Sequence, residues 1–218
     1  MHHLVAPITD KTIPEAIALL SSAHDYLVSQ AARASSALAD APVHRWGIQG
    51  KRSTVNFSGD RPLLVTKASE RFAEVLNIAA TLERLLDALL WFQASSRFSK
   101  LVVRECHPST SSAPDANDLV LIDRSGAVTV RCEVSDVVAG NAHQNNKERV
   151  DLAALGIDGP PPEDGVARFL VVSSEFGHAL DHPRRAWHRL PYRYARHLAD
   201  FDHATMLLEV ITPSNPPA

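Results

Sequence analysis

The chain has 218 residues, a formal net charge of −3, 45% hydrophobic residues and 22% charged residues, which is an ordinary composition for a soluble globular protein. No apolar run approaches the roughly 20 residues of a membrane span and the first residues lack a secretory signal pattern, so we expect a cytoplasmic protein without a membrane partner. The pI of about 6.4 excludes a uniformly basic DNA-coating protein, although a local basic groove is compatible with it.

Two long amphipathic helices are predicted in the first part of the sequence. Apolar residues recur at helical spacing from Ile13 to Leu38 and from Lys67 to Gln93. Short strands are predicted between them, near Ser53–Phe57 and Leu63–Val65. The second helix has the broader apolar face, which consists of Phe72, Val75, Leu76, Ala79, Leu82, Leu86 and Leu89.

Beyond Lys100 the apolar period changes from helical to alternating. A strand is predicted from Lys100 to Cys106, and a hairpin from Asp118 to Asp136 turns around Arg124–Gly126. Cys106 and Cys132 lie within these strands. Two cysteines so placed favour buried thiols in a reducing compartment over a disulfide framework or a zinc site.

The rest of the chain alternates helices with strands. We predict a helix from Asn141 to Leu155, a buried strand from Ala167 to Ser174, a helical segment from His182 to Phe201 broken near Pro191, and a last strand from Ala204 to Thr212. A hairpin beside a strand reached through a crossover helix predicts an α/β fold with a mixed central β-sheet flanked by helices. We expect an N-terminal helical extension over residues 1–66, an α/β core over 67–212 and a disordered tail over 213–218.

The hairpin carries two acidic residues, Asp118 and Glu133, where a core strand would be apolar. Strand alternation places Glu133 on the polar side of its strand together with Arg131, and hairpin pairing brings Asp118 near Glu133. Two neighbouring carboxylates that both stay ionised repel each other, and a divalent cation relieves this repulsion. The pair therefore predicts a Mg²⁺ or Mn²⁺ site that binds carboxylate oxygens and substrate phosphate.

This order of elements and acids resembles the PD-(D/E)XK nuclease superfamily, which has the restriction-endonuclease-like fold. That family has an α-β-β-β-α-β core, an Asp at the start of the second strand and an (Asp/Glu)-X-Lys motif on the third. The resemblance covers residues 67 to 175 approximately, with Glu133, Val134 and Ser135 at the motif. It implies that Asp118 and Glu133 are catalytic metal ligands and that the Val134 backbone carbonyl is a third ligand.

Ser135 stands at the catalytic position where the family has its lysine, and a serine supplies no cation to a phosphate that gains charge. Members of the family also carry this lysine on the following helix, which makes Lys147 the candidate for its role. A solvated lysine and a structural ion pair are the alternatives for Lys147. The family often adds an acid from the preceding helix, for which Glu83 is the candidate metal ligand and Glu74 the competing one. A solvated helix acid is the alternative for either.

A basic and aromatic segment from His178 to His197 is the candidate nucleic-acid-binding region. Arginines suit phosphate contacts, and aromatic rings suit stacking on unpaired bases. We assign phosphate binding to Arg131 in the hairpin and to Arg184, Arg185, Arg189, Arg193 and Arg196 in this segment. The alternative is a helix with buried aromatic rings and solvated arginines.

The resemblance as a whole implies a metal-dependent nuclease that hydrolyses phosphodiester bonds, with DNA as the favoured partner and a homodimer as the candidate assembly. An RNA-cleaving nuclease of the toxin type is the alternative within the enzyme class. A catalytically inactive protein of the same fold, which binds nucleic acid or a protein partner, is the alternative outside it.

Overall fold

Two long helices cover one face of a seven-stranded mixed β-sheet. The structure, a computed structural model, describes residues 3–39, 53–108, 117–135, 150–156 and 165–173, together with the backbone of two further strands at 194–199 and 205–210. Side chains are not described for residues 37–39, 135, 172 and 173 or for those two strands.

The helices and strands follow one another in a regular order along the chain. The helices are α1 (Ile13–Ala39) and α2 (Phe72–Ala94), and a further helical segment spans 150–154. The strands are β1 (Ile8–Thr12), β2 (Thr54–Asn56), β3 (Ser69–Arg71), β4 (Val102–Cys106), β5 (Leu119–Ile122), β6 (Val128–Ser135), β7 (Ala167–Ser173), β8 (Tyr194–Ala199) and β9 (Thr205–Val210). Strands β2 and β3 form a separate antiparallel pair.

The seven-stranded sheet has the strand order β1-β4-β5-β6-β7-β9-β8. Its neighbouring strands are antiparallel except for β6 and β7, which run parallel. A parallel pair requires a crossover, and the helical segment 150–154 lies in the chain between these two strands. The protein is therefore a mixed α/β structure with a mostly antiparallel sheet flanked by helices, which confirms the predicted class.

Strand alternation divides the buried residues between two faces of the sheet. The first face packs against α1 and α2 in one hydrophobic core, to which the sheet contributes Val103, Cys106, Leu119, Leu121, Val130, Cys132, Val134, Phe169 and Val171. Val120 and Leu170 alternate with these residues and are buried outside that core, on the second face. Each face of the sheet is therefore covered.

The segment 150–156 covers the second face. Its Leu152 and Leu155 are buried outside the core that α1 and α2 form. The backbone carbonyl of Leu155 accepts a hydrogen bond of 2.7 Å from Nε of Arg168 in β7. This contact places the segment directly against the strand pair β6 and β7.

An aromatic cluster joins the end of α2 to β7. The ring centroids of Phe92, Phe98 and Phe169 lie 5.0, 5.4 and 5.7 Å apart in edge-to-face pairs. The Trp91 ring lies 5.5 Å from Phe169. Edge-to-face contact is a favoured geometry for buried rings, because the positive ring edge meets the negative face. The cluster sets the position of β7, and through strand pairing that of β6.

The structure corrects the start and the orientation of the second predicted helix. Ser69–Arg71 form β3 rather than helix, and α2 begins at Phe72, because these residues pair with β2. Leu76 of the predicted apolar face is 45% exposed, whereas Ile78 and Leu85 are buried. The buried stripe differs from the predicted one because α2 packs against both α1 and the sheet.

Three strand assignments also differ from the prediction. The predicted helical segment 182–201 contains strand β8, because pairing with β9 overrides the helical spacing of a short stretch. The predicted strand near Leu63–Val65 reduces to one bridge between Val65 and Val5. Strand β1 is not predicted, because Ile8–Thr12 are mostly exposed and polar, as suits an edge strand. Residues 141–149 and 182–193 of the predicted helices, and the tail 213–218, lie outside the described residues.

The described residues of the predicted extension, 3–39 and 53–66, belong to the same sheet and core as the rest of the described chain. Strand β1 pairs with β4 at the sheet edge, and α1 contributes buried residues to the core shared with α2. Cys106 and Cys132 are buried free thiols, as predicted. Among the described helices, none is long and apolar enough to cross a membrane.

Candidate functional site

The hairpin of β5 and β6 brings the two predicted acids to the same place. At its turn the Asp123 carboxylate accepts hydrogen bonds from the backbone N–H groups of Ser125 at 2.8 Å and Ala127 at 3.1 Å. Leu119 pairs with Cys132, so the residue before β5, Asp118, lies beside Glu133. Turn geometry and register together position the pair, because a slip of one residue would turn Glu133 to the opposite face.

The two carboxyl groups interact directly. Asp118 Oδ2 accepts a hydrogen bond of 2.8 Å from the backbone N–H of Val134, and Glu133 is only 6% exposed. Burial raises the pKa of Glu133 to about 9, and the charge of Asp118 and a side-chain hydrogen bond with Asp118 act in the same direction. At neutral pH Glu133 therefore keeps a proton in the absence of a cation, and the charge of the pair resides on Asp118.

Asn117 connects this acid pair to its surroundings. Its Nδ2 donates to Glu133 Oε1 at 2.8 Å and to the backbone carbonyl of Ala154 at 3.0 Å. Its Oδ1 accepts a hydrogen bond of 2.8 Å from Arg131 Nη1. The hydrogen bond from Asn117 lowers the pKa of Glu133 and so opposes the effect of burial. The amide thus joins β6 to the helical segment that covers this face.

Two further titratable residues line the site and are missed by the sequence prediction. Asp151, on the helical segment, is 6% exposed, and its charge also raises the pKa of Glu133. His107 follows β4, its backbone N–H donates to the Asp118 carbonyl at 2.8 Å, and its Nε2 lies 3.3 Å from Glu105 Oε2. Asp151 lies one helical turn before Leu155 in the predicted helix, and this spacing is the signal that could have identified it. His107 follows a predicted strand directly, without a motif to mark it.

Arg131 and Arg168 lie on neighbouring strands at the site, and the backbone of Arg196 lies farther along the sheet. Arg131 of β6 is half-buried and lies opposite Arg168 of β7. Arg168 is 5% exposed and donates to the backbone carbonyls of Leu155 and Val166 at 2.7 Å, so it connects the sheet to the segment 150–156. The cross-strand row that starts at Glu133 passes through β7 and β9 to Arg196 in β8. Three strand spacings of about 4.8 Å put the Arg196 backbone roughly 14 Å from that of Glu133.

The remaining predicted site residues fall into two groups. Glu83 is half-buried on α2, which covers the first face of the sheet, whereas Glu133 alternates with core residues and lies on the second face. The role of Glu83 as a metal ligand stays a prediction. Lys147, Arg184, Arg185, Arg189 and Arg193 lie outside the described residues, as does the side chain of Ser135.

The oxygen atoms at the hairpin suit a hard divalent cation. In a strand, the N–H and the carbonyl of one residue point to the same side, so the Val134 carbonyl lies on the side of Asp118. The two carboxyl groups and the backbone carbonyl provide oxygen atoms, which are the ligands that Mg²⁺ prefers. Within the described part of the chain, no three His, Cys, Asp or Glu side chains form a metal-binding group. Among the described side chains, a cation at this place would therefore have the two carboxylates as ligands, and water and substrate are the further oxygen ligands that Mg²⁺ commonly takes.

Comparisons of the chain with protein-family models, curated proteins and solved structures give no match. The geometry of the acid pair and the order of the elements that carry it are therefore the observations that bear on function.

Proposed function

We propose that the protein is a metal-dependent nuclease of the PD-(D/E)XK type that hydrolyses phosphodiester bonds, with DNA as the favoured substrate. The observation that supports this function is the contact between Asp118 and Glu133 beside the backbone of Val134. A buried acid pair is costly to form without a partner, because each ionised carboxylate loses its hydration. A divalent cation is the partner that would let both groups stay ionised.

The topology supports the same proposal. Helix α2, strands β4, β5 and β6, the helical segment 150–154 and strand β7 follow one another in the α-β-β-β-α-β order of this family. Asp118 directly precedes the second of these strands, and Glu133 lies on the third. The parallel pair β6 and β7 requires the crossover in which the family has its second helix.

The residues of the chain have distinct tasks in the proposed reaction. Asp118, Glu133 and the Val134 carbonyl would hold Mg²⁺ or Mn²⁺, which when bound lowers the pKa of a water and neutralises phosphate charge. Burial keeps a proton on Glu133 in the metal-free protein, and this proton must leave before the carboxylate can bind a cation. Arg131 donates to a phosphate oxygen, a contact that its planar guanidinium suits.

Residues outside the described part of the chain, together with Arg196 of β8, complete the proposal. Lys147 would orient the attacking water in place of the lysine that Ser135 replaces. Arg184, Arg185, Arg189 and Arg193, with Arg196 of β8, would bind the nucleic-acid backbone. A homodimer is the proposed assembly. These assignments come from the resemblance to the nuclease family.

The decisive experiment is cleavage of plasmid DNA, single-stranded DNA and tRNA in Mg²⁺ or Mn²⁺. We expect cutting that EDTA stops and that Asp118→Asn and Glu133→Gln abolish. Asp25→Asn is the matched control, because Asp25 is an exposed acid of α1, which packs on the other face of the sheet. Preference for tRNA would identify an RNA-cleaving, toxin-type nuclease instead of a DNA nuclease. Equal cutting by all variants would contradict the proposed site.

A catalytically inactive binding protein is the second candidate, and two observations favour it. Ser135 supplies no cation at the motif, and Glu133 is 6% exposed and already hydrogen-bonded by Asn117. In that case no substrate is cut, and nucleic-acid binding is independent of metal. Gel-shift titrations of the unmodified protein in EDTA and in Mg²⁺ separate the two candidates.

A further inference from the structure

The buried side chain of Asn117 lies between the proposed metal ligands and the proposed phosphate-binding arginine. It is 2% exposed, and it bonds to Glu133, Arg131 and the Ala154 carbonyl at 2.8, 2.8 and 3.0 Å. One amide therefore contacts an acid, a base and the end of a helical segment. Asn117 has no direct role in the steps of the proposed reaction.

The chemistry of its partners determines the orientation of this amide. Arginine can only donate hydrogen bonds, and a backbone carbonyl can only accept them. Oδ1 must therefore face Arg131, and the NH₂ group must face Ala154 and Glu133. In the opposite orientation, two donors would meet at Arg131 and two acceptors at Ala154, at a cost typical of unsatisfied buried groups.

We propose that Asn117 is a positioning residue, which orients the Glu133 carboxyl group and the Arg131 guanidinium toward the same metal-bound phosphate. The inference rests on the proposed nuclease function and assigns a role to a residue that does not itself touch the reacting atoms. By bonding Oε1, Asn117 leaves Oε2 for Asp118 and for a cation. Groups that orient metal ligands in this way change metal affinity when they are removed.

A purely structural amide has a different signature, and the chain offers one for comparison. Gln30 on α1 is 4% exposed, and its side chain bonds to the backbone and hydroxyl groups of Ser58. None of these contacts involves an acid or an arginine. Truncation of Gln30 removes a buried amide of the same class at a distance from the hairpin, so it measures the structural part of the effect.

The first test is Mn²⁺ binding, measured from the EPR signal of the free ion, for the unmodified protein, Asn117→Ser and Gln30→Ser. We expect Asn117→Ser to weaken Mn²⁺ binding by about 10- to 100-fold and Gln30→Ser to leave it unchanged. Equal affinity of Asn117→Ser and the unmodified protein would overturn the positioning role while leaving the metal site intact. If the unmodified protein does not bind Mn²⁺, the proposed function fails and this inference fails with it.

The second test uses only the unmodified protein and is independent of whether Asn117→Ser folds. The side-chain NH₂ signals of Asn117 and Gln30 are followed by NMR during titration with Mg²⁺. We expect the Asn117 signals to shift and to saturate together with metal binding, while those of Gln30 stay in place. Asn117 signals that do not move at saturating Mg²⁺ would overturn the proposal.

Discussion

At the scale of single residues, the ionisation of Glu133 is the property that links the site to the stability of the fold. Burial and the neighbouring charge of Asp118 raise its pKa from an ordinary value of 4.5 to about 9. Asn117 opposes this shift but does not cancel it. The folded protein therefore keeps a proton that the unfolded chain releases over a wide range of pH.

We predict that the metal-free protein loses stability as the pH rises from about 4.5 to about 9. In this window the unfolded chain binds fewer protons than the folded one, so the free energy of unfolding falls by up to about 1.4 kcal/mol per pH unit. Glu133→Gln cannot ionise and keeps hydrogen-bonding groups toward Asn117 and Asp118, so its stability should depend less on pH. Urea unfolding in EDTA across this range measures the difference. Parallel curves for the variant and the unmodified protein would contradict the shift.

The sequence predicts the acid pair but not the residues that complete its surroundings. Strand alternation and the hairpin turn place Asp118 beside Glu133, because both rules act over short distances along the chain. Asp151 approaches Glu133, and the Ala154 carbonyl approaches Asn117, only when the crossover packs against the sheet, and no local rule specifies those contacts. Arg168 looks like a surface residue of a buried strand, yet it is 5% exposed because it donates to carbonyls of segment 150–156.

At the scale of elements, the turn between β5 and β6 determines the register of the site. Gly126 has φ +86, a left-handed conformation that residues with a Cβ disfavour, and an added Cβ would meet nothing within 4 Å. We predict that Gly126→Ala lowers the free energy of unfolding by about 1 kcal/mol, through backbone strain alone. Gly59→Ala is the matched control, with φ +79 and equally open space but outside the hairpin. Urea unfolding should show a similar decrease in the free energy of unfolding for both variants. An unchanged free energy of unfolding in both would contradict the expected backbone strain.

The aromatic cluster connects α2 to β7, the strand that pairs with β6 of the site. Phe169 is fully buried, and its centroid lies 5.0 Å from Phe92. Phe169→Ala should cost about 3 to 5 kcal/mol of the free energy of unfolding, because the lost ring leaves a cavity in a packed core. Phe57→Ala should cost less, since Phe57 is only half-buried. Urea unfolding measures both variants, and a smaller loss for Phe169→Ala than for Phe57→Ala would contradict the assigned role of the cluster.

Helices are easier to predict here than the strands at the sheet edges. The span of α1 agrees with its apolar period because that period covers many turns. Strand β1 carries little apolar signal, and the sequence predicts helix for β8 because its six residues, Tyr194–Ala199, fit either period. In both cases the partner strand, β4 or β9, determines the structure.

At the scale of the whole molecule, the site exists only when distant parts of the chain assemble. Asp118 and Glu133 belong to the hairpin, whereas Asp151 belongs to the crossover that leads to β7. The unfolded chain has no such group of acids close together. A cation that binds these acids must therefore bind the folded state in preference to the unfolded one.

We predict that Mg²⁺ stabilises the protein against urea, by about 2.7 kcal/mol when its concentration is 100-fold above the dissociation constant. The effect should grow with pH up to about 9, because the cation displaces the proton of Glu133. Asp118→Asn should lose this stabilisation, since an amide replaces one ligand carboxylate, whereas Asp25→Asn on α1 should keep it. Unfolding midpoints with Mg²⁺ and with EDTA provide the measurement. An equal Mg²⁺ effect in Asp118→Asn and the unmodified protein would place the cation elsewhere, and the acid pair would then be a structural hydrogen bond with a buried proton.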